Sequence, residues 1–423
     1  MERTYISDLK SGKEVLLKGW VFDYRVLSKM AFIVLRDNSG YVQCISKDPS
    51  IVKQISGLTM ESVIEIVGKV KDASIKEQNA RKDIEVDVLK MSLIAKAEQL
   101  PIPVNEKGVT TEFSTRLDYR FLDIRKPKIW AIFKVESTIM KAFREFMEKE
   151  KALEAIFPSI IGSSSEGGTE LYRLKYFEKD AYLSQSCQLY KQMLACSFEK
   201  VYTLFTVWRA EKHNTIRHLN ESRQIDFEMA FSDEFGVMDV LGRSVQYVVK
   251  KVLEENSKEL ELLNVKLKVP KTKYLTFEEA NKLIKKAGTH TEETDLTPDG
   301  ERKLEELFPD TIVFVHDWPL KGKPFYIMPK GKDLSCGFDA IYKGMEIASG
   351  GQRVHLPELL IERLKVKGLN PKDFKSYTDS FRYGAPPHAG WAIGLERITM
   401  LILGIENIRE VVLFPRDRTR LTP

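Results

Sequence analysis

The chain has 423 residues, 43% hydrophobic and 30% charged, with a formal net charge of +5. That length exceeds one ordinary core and favours two domains, and the balance is that of a soluble globular protein rather than a disordered or membrane one. No apolar run approaches the roughly 20 residues that span a bilayer, the charged start "MERTYISDLKSGKE" resembles no signal peptide, and none of Cys44, Cys187, Cys196 and Cys336 forms a CxxC pair, which argues against a zinc ribbon or a disulfide framework and for a reducing cytoplasm.

In chain order, the first hundred residues read as β. "KEVLLKGWVFDYR", "MAFIVLRD", "GYVQCISK", "ESVIEIVGKVKD" and "DIEVDVLKMSLIAK" are alternating or apolar runs split by turn residues, with a helical "PSIVKQISG" between the third and fourth. Five strands with that helix fit an OB-fold, a barrel often used on single-stranded nucleic acid. Another small barrel, such as an SH3-like one, is the competing reading. The Pro-containing, weakly periodic segment to residue 128 reads as a hinge. The expected domains are therefore 1–102, a hinge at 103–128, and 129–423. From Ile129 a helical stripe carries Ile132, Val135, Ile139, Phe143 and Phe146. Strands are expected from there to about residue 232, Lys/Glu-rich helices over 237–308, and strands again in "DTIVFVHDWP", "KPFYIMP" and "GFDAIYKGMEIASGG". "LPELLIERLKVKG" reads as a helix, and "GWAIGLERITMLILG" closes the pattern.

Four stretches carry chemistry. Within residues 166–192, Glu166, Gln188 and Lys191 place a carboxylate, an amide and an ammonium along half-buried runs, a set that suits a zwitterion. Residues 201–231 read as a long antiparallel hairpin, with Arg209 and Glu211 spaced to share a side where the first strand meets its loop. His213 and His218 lie in that loop at a spacing unusual for zinc; a plain surface hairpin is the bland alternative. In "GWAIGLERITM", Gly390 and Gly394 precede Glu396 and Arg397, an arrangement that lets a phosphate approach backbone and arginine, or that merely packs tightly. In "FDAIYKGMEIASGGQR", Asp339, Glu346, Ser349 and Arg353 fall close together; oxygen donors from Glu346 and Ser349 suit Mg²⁺, and an ordinary polar strand end is the alternative.

Together these stretches resemble a class II aminoacyl-tRNA synthetase of the archaeal and eukaryotic aspartyl subgroup. "IFPSII" with Pro158 resembles the first class II motif, which builds a dimer interface. "WRAEKHNTIRHLNESRQIDFEM" resembles the second and "GWAIGLERITM" the third. "TRLDYRFLDIRKP" and the closing "LFPRDRTRLTP" are further marks of the subgroup. The resemblance implies an α+β fold: an anticodon-binding OB barrel, then a catalytic domain on an antiparallel sheet flanked by helices. It implies a cytoplasmic homodimer that binds L-aspartate, ATP with Mg²⁺, and tRNA-Asp. Arg209, Glu211, His218, Glu221, Glu346, Gly394 and Arg397 would form the ATP site, with Arg209, Glu211 and Arg397 catalytic, and Glu346 and Ser349 would hold Mg²⁺. Glu166, Gln188, Lys191, Asp226, Ser349 and Arg353 would bind aspartate. Lys191, which asparaginyl relatives usually lack, would favour a carboxylate over an amide. Arg25, Phe32, Gln43 and Glu85 would meet the anticodon, with Phe32 stacking on a base; Phe32 as simple core is the alternative.

Three positions depart from the family pattern. Ser222 stands where an aromatic usually stacks on adenine, Ala392 replaces a glycine, and Phe22 stands where relatives often carry histidine, which leaves charging of tRNA-Asn open. Two other functions compete: an asparaginyl or asparagine-forming paralogue, opposed by Lys191 and by the barrel respectively, and a catalytically dead RNA-binding regulator, opposed by Arg209, Glu211, Glu346 and Arg397.

Overall fold

A computed structural model describes residues 1–105, 110–162, 170–212 and 215–423. They divide into two compact units, Met1–Trp130 (with Pro423) and Ala131–Thr422.

In the first unit, strands β1 (Glu14–Leu27), β2 (Met30–Arg36), β3 (Tyr41–Ser46), β4 (Val63–Asp72) and β5 (Ile84–Ala95) close a barrel in the order β1-β2-β3-β5-β4. Helix α1 (Pro49–Ser56) sits between β3 and β4, started by Pro49 and by the Asp48 carboxylate, which accepts from the Ser50 and Ile51 N–H groups. Period-two alternation sends Leu17, Ile33, Cys44, Ile64 and Val86 inward. Much of the segment read as a hinge carries secondary structure and falls in this unit. It carries α2 (Phe113–Asp118) and α3 (Arg120–Asp123), and Ile102, Val104 and Leu122 pack on Phe22 and Val34. Its charges are also fixed: Arg125 lies 2.9 Å from the buried Glu61, and Asp123 meets Arg116, Arg120 and Lys126.

The second unit begins within α4 (Pro127–Lys149), whose Ile132, Val135, Ile139 and Phe143 are buried as the stripe requires. In chain order come β6 (Leu153–Glu154), β7 (Ile160–Ile161), β8 (Arg173–Tyr176), β9 (Lys179–Leu183), α5 (Gln188–Phe198), β10 (Lys200–Trp208), β11 (Glu221–Ala230), α6 (Glu234–Glu255), α7 (Ser257–Leu262) and β12 (Lys271–Thr276). Then follow α8 (Phe277–Lys286), α9 (Pro298–Leu307), β13 (Thr311–His316), β14 (Pro329–Lys330), β15 (Leu334–Ser335), β16 (Gly337–Tyr342), β17 (Met345–Gln352), α10 (Pro357–Val366), α11 (Lys375–Ser380), β18 (His388–Gly394) and α12 (Leu395–Leu403). Eight strands form one sheet in the order β12-β13-β16-β17-β18-β11-β10-β6. Its centre is antiparallel as expected, but both edge pairs, β12/β13 and β10/β6, are parallel.

Three expected elements differ. The strand-like reading over 188–198 is wrong: α5 is a helix whose Gln188, Lys191, Gln192 and Ala195 are buried at helical spacing. Polar residues on its buried side disguised the period, because they meet partners inside the protein rather than water. β12 lies inside the stretch expected to be helical, where Lys271 and Lys273 on an edge strand masked it. Of "KPFYIMP", only Pro329 enters a strand.

Candidate active site

One row across the sheet organises the site. Asp339 (β16) pairs with Ser349 (β17), Ser349 with Ala392 (β18), and Ala392 with Asp226 (β11). Paired residues point to one face; Asp339, Ser349 and Ala392 line a cleft of about 430 Å³, and Asp226 lies buried beside them. The cleft is also lined by Gln188, Arg209, Glu211, His218, Ser222, Glu346, Arg353, Gly394 and Arg397.

The next row is Gly337, Gly351, Gly390 and Glu228. A Cβ on Gly390 would lie 2.1 Å from the Glu228 carboxylate. Close packing, rather than approach of a ligand, therefore requires that glycine, whereas Gly394 does face the cleft. Glu228 is fully buried between two cations: Arg353 Nε at 2.9 Å and Lys191 Nζ at 3.6 Å. Burial opposes its charge, yet Arg353 and Lys191 hold its carboxyl below the ordinary value. Lys191 reaches in from α5 to donate to Asp226 Oδ1 at 2.8 Å and to the Trp391 carbonyl at 3.0 Å. Two cations facing two carboxylates leave this corner near neutral. Asp226 Oδ2 and Gln188 Nε2 remain buried without a partner among the described residues, so a ligand with its own polar ends would satisfy groups that are costly to leave unmade.

At the mouth, Arg209 and Glu211 face one another at 3.8 Å. Asn220 braces this turn by donating to the carbonyls of Arg209 and Glu211 at 2.7 and 2.9 Å. The C-terminal segment secures the same loop: Asn220 N–H donates to the Arg416 carbonyl, Arg418 donates to the Lys212 carbonyl, and Arg409, paired with Asp417, donates to the Thr215 carbonyl. On the opposite wall, Arg397 donates to the Glu346 carbonyl at 3.1 Å. Burial and the neighbouring Asp339 raise the Glu346 carboxyl above its ordinary value, and burial raises Asp339. Paired hard oxygens that repel each other suit a divalent cation such as Mg²⁺, which needs few protein ligands when phosphate and water supply the rest. No group of three or more His, Cys, Asp or Glu fit to hold a metal occurs among the described residues.

Strand alternation turns Glu221 away from this floor, while Arg223 borders both the cleft and the space behind the strand. Arg223 Nε lies 2.7 Å from the buried Glu396, and Glu221 is 3.6 Å from Arg223. Glu221 thus stands behind the strand, not over the cleft where the resemblance put it; Ser222 lines the cleft instead. Glu166 and His213 lie outside the described residues.

A family model for tRNA synthetases class II (D, K and N) matches residues 112–418, and one for the OB-fold nucleic acid binding domain matches residues 15–94. The chain belongs to the class II tRNA synthetases. It is 42% identical to the aspartate–tRNA(Asp/Asn) ligase of Archaeoglobus fulgidus and 40% identical to the aspartate–tRNA(Asp) ligase of Thermoplasma acidophilum, each over 100% of both chains. Among solved structures, it superposes on the asparaginyl-tRNA synthetase of Pyrococcus horikoshii complexed with asparaginyl-adenylate at a TM-score of 0.93, with 34% identity and 100% of both chains covered. The aspartyl-tRNA synthetase of Entamoeba histolytica matches at 0.90 with 32% identity, covering 100% of this chain and 93% of that one.

In this synthetase the barrel brings the four anticodon candidates together. Arg25 is in register with Phe32 and its guanidinium lies 5.6 Å from that ring. Gln43 is in register with Glu85 and donates to it at 3.2 Å. Phe32 is half-buried and outside the core that takes Ala31 and Ile33, so it is not a plain core residue. Phe22, by contrast, is 3% exposed and packs edge-on against Tyr41 at 4.9 Å. Sequence reasoning missed Glu228; the Asp226-x-Glu228 repeat on a strand reading "IDFEM" is the signal, since two carboxylates on one buried face demand cations. It also missed the cleft-lining Lys323 and Arg217, both hidden in polar loops.

Proposed function

We propose that this synthetase is an aspartate–tRNA ligase. The observation that carries the reading is the buried corner of Lys191, Asp226, Glu228 and Arg353. Its cations are held in place by internal carboxylates, ready to accept a substrate side-chain carboxylate by charge-assisted bonds that an amide cannot match. Glu166 and Gln188 would receive the ammonium end, with Asp226 orienting the Lys191 ammonium, while Ser349 lies on the floor of the cleft.

In the first step an oxygen of the substrate α-carboxylate attacks the α-phosphorus of ATP, the bond to the bridging oxygen breaks, and pyrophosphate leaves. Arg209 would stabilise charge growing on the α-phosphate, with Glu211 holding the guanidinium at the turn, and Arg397 would hold the terminal phosphates. His218 and Gly394 complete the nucleotide wall. Glu346 and Ser349, with Asp339 nearby, would hold Mg²⁺, which neutralises phosphate charge when bound. In the second step the terminal ribose hydroxyl of tRNA-Asp attacks the activated carbonyl and AMP leaves. Arg25, Phe32, Gln43 and Glu85 would read the anticodon. A homodimer would cover Leu153, Ile156 and Ile160 around Pro158, three exposed apolar side chains close in sequence, since a patch of this kind, unlike a single residue, suits an interface. No helix among the described residues is long and apolar enough to cross a membrane.

The test is ATP–pyrophosphate exchange with aspartate and with asparagine, followed by charging of tRNA-Asp and tRNA-Asn. The second tRNA belongs in the test because the relatives' names divide on it: Asp/Asn in Archaeoglobus fulgidus and Methanocaldococcus jannaschii, Asp alone in Thermoplasma acidophilum. Exchange driven by asparagine in preference to aspartate would overturn the proposal.

A further inference from the structure

We propose that Lys323 is an internal counterion that takes the place of the divalent cation before substrate binds and passes to the ATP phosphates when the metal arrives. The inference rests on the ligase reading above.

Lys323 follows a single 3-10 turn, Leu320–Gly322, and lines the cleft. Its Nζ lies 2.6 Å from Asp339 Oδ2, and also 4.0 Å from the centre of the Trp318 ring. Asp339 is buried and sits in one row with Ser349, while Glu346 lies across the same hairpin. The ammonium therefore occupies the counter-charge position of the acidic wall. Without it Asp339 would face Glu346 and Asp295 with only Arg397, on the Glu346 side, as counter-charge.

Two features suit Lys323 to move rather than to stay. It is a point charge on a flexible stem, free of the planar fork that would fix an arginine. Its second partner is a ring face, which attracts a cation without directional demand and lets it swing. A divalent ion entering with phosphate would outcompete a single ammonium for the two carboxylates. The displaced ammonium, still in the cleft with Arg397, would then find phosphate oxygens as its nearest anions. The residue would thus have two stations: Asp339 before substrate, pyrophosphate oxygens after.

The experiment compares wild type, Lys323→Met and Lys323→Arg, with folding monitored by circular dichroism. Mn²⁺ binding to the ATP-free protein is measured by electron paramagnetic resonance, and the KM for ATP by pyrophosphate exchange. Loss of the competing ammonium should tighten Mn²⁺ binding in Lys323→Met by about tenfold or more, the scale of one adjacent charge. The KM for ATP should rise at least about tenfold from loss of one phosphate cation. Lys323→Arg keeps the charge, so Mn²⁺ should bind it no more tightly than wild type. Asp339→Asn should weaken Mn²⁺ binding in either background. A folded Lys323→Met that binds Mn²⁺ no more tightly than wild type overturns the proposal, as does Lys323→Arg binding Mn²⁺ as tightly as Lys323→Met. If Lys323→Met does not fold, Lys323→Gln, neutral and polar, takes its place with the same deciding outcomes. Absence of aspartate-dependent exchange in the wild type would instead overturn the ligase reading, since Mn²⁺ competition needs no substrate.

Discussion

Replacing Lys191 by methionine, a side chain of similar length, removes one charge from a corner that holds two carboxylates and two cations. Asp226 and Glu228 are 1% and 0% exposed, so water cannot replace the ammonium. Arg353 already spends its Nε and Nη2 on Glu228, at 2.9 and 3.2 Å. Asp226 is then left as an uncompensated buried carboxylate, which costs about 3–5 kcal/mol, seen as a melting temperature lowered by roughly 10 °C. The effect on substrate is separate. Binding aspartate brings a third carboxylate to a corner with one remaining cation, and losing one partner of a buried charged contact costs about 2–5 kcal/mol. The expected fall in kcat/KM for aspartate is roughly 30- to 3,000-fold, while asparagine, which brings no charge, loses much less. The double variant Lys191→Met/Asp226→Asn separates the two effects: it should recover the melting temperature but not the preference for aspartate. The assays are thermal denaturation and pyrophosphate exchange with both amino acids. An unchanged aspartate-to-asparagine ratio in folded Lys191→Met would refute the reasoning, because it would mean the buried ammonium serves the fold alone.

Arg209→Ala should lower pyrophosphate exchange by about a hundredfold or more at unchanged melting temperature, the scale of one lost transition-state donor; exchange within tenfold of wild type contradicts its role. Phe32→Ala and Gln43→Ala should raise the KM for tRNA and leave tRNA-independent exchange intact, so loss of exchange in either folded variant counts against the division of labour. Ser222→Phe should lower the KM for ATP about fivefold by offering adenine a face worth about 1 kcal/mol, since Arg223 is committed to Glu396 behind the strand; a raised KM would show the space is already filled. Glu136, buried near Glu396, is raised to about 7 by burial first and that neighbour second. Its neutral form is favoured by folding, so its stability contribution is present below about pH 4.5 and lost as pH rises through about 7. Glu136→Gln should therefore stabilise the protein at pH 8 by up to roughly 3 kcal/mol and have little effect at pH 4.5, checked by urea denaturation at both values.

The parts of this molecule that were legible in its sequence are those where one local rule acts alone. Alternation on β1 to β5 and the stripe on α4 are set by a single water-facing and a single core-facing side. The hairpin of β10 and β11 shows itself because turn chemistry separates two such runs. α5 was not legible for the opposite reason. Gln188, Lys191 and Gln192 are buried on it, and a pattern reader assigns polar residues to solvent. Only the partners supplied by distant segments, Asp226 and the Trp391 carbonyl for Lys191, and Tyr377 for Gln192, make those positions interior.

The segment read as a hinge hides its structure in the same way. Its residues 110–128 look irregular because their order comes from buried charges, with Arg125 on Glu61 and three cations on Asp123, and ion pairing has no period to detect. Both cases share a physical cause. A chain that must bind a charged substrate keeps cations inside, and each needs an internal carboxylate to make its burial tolerable. Those carboxylates are Glu228 for Arg353 and Asp339 for Lys323. Asp339 stands out in its polar strand stretch, whereas Glu228 carries no motif of its own and becomes visible only when the sheet sets it in one row with three glycines. The residues that contact substrate can be read from sequence by resemblance; the residues that make those contacts affordable to a folded protein can be read only from the register of the strands.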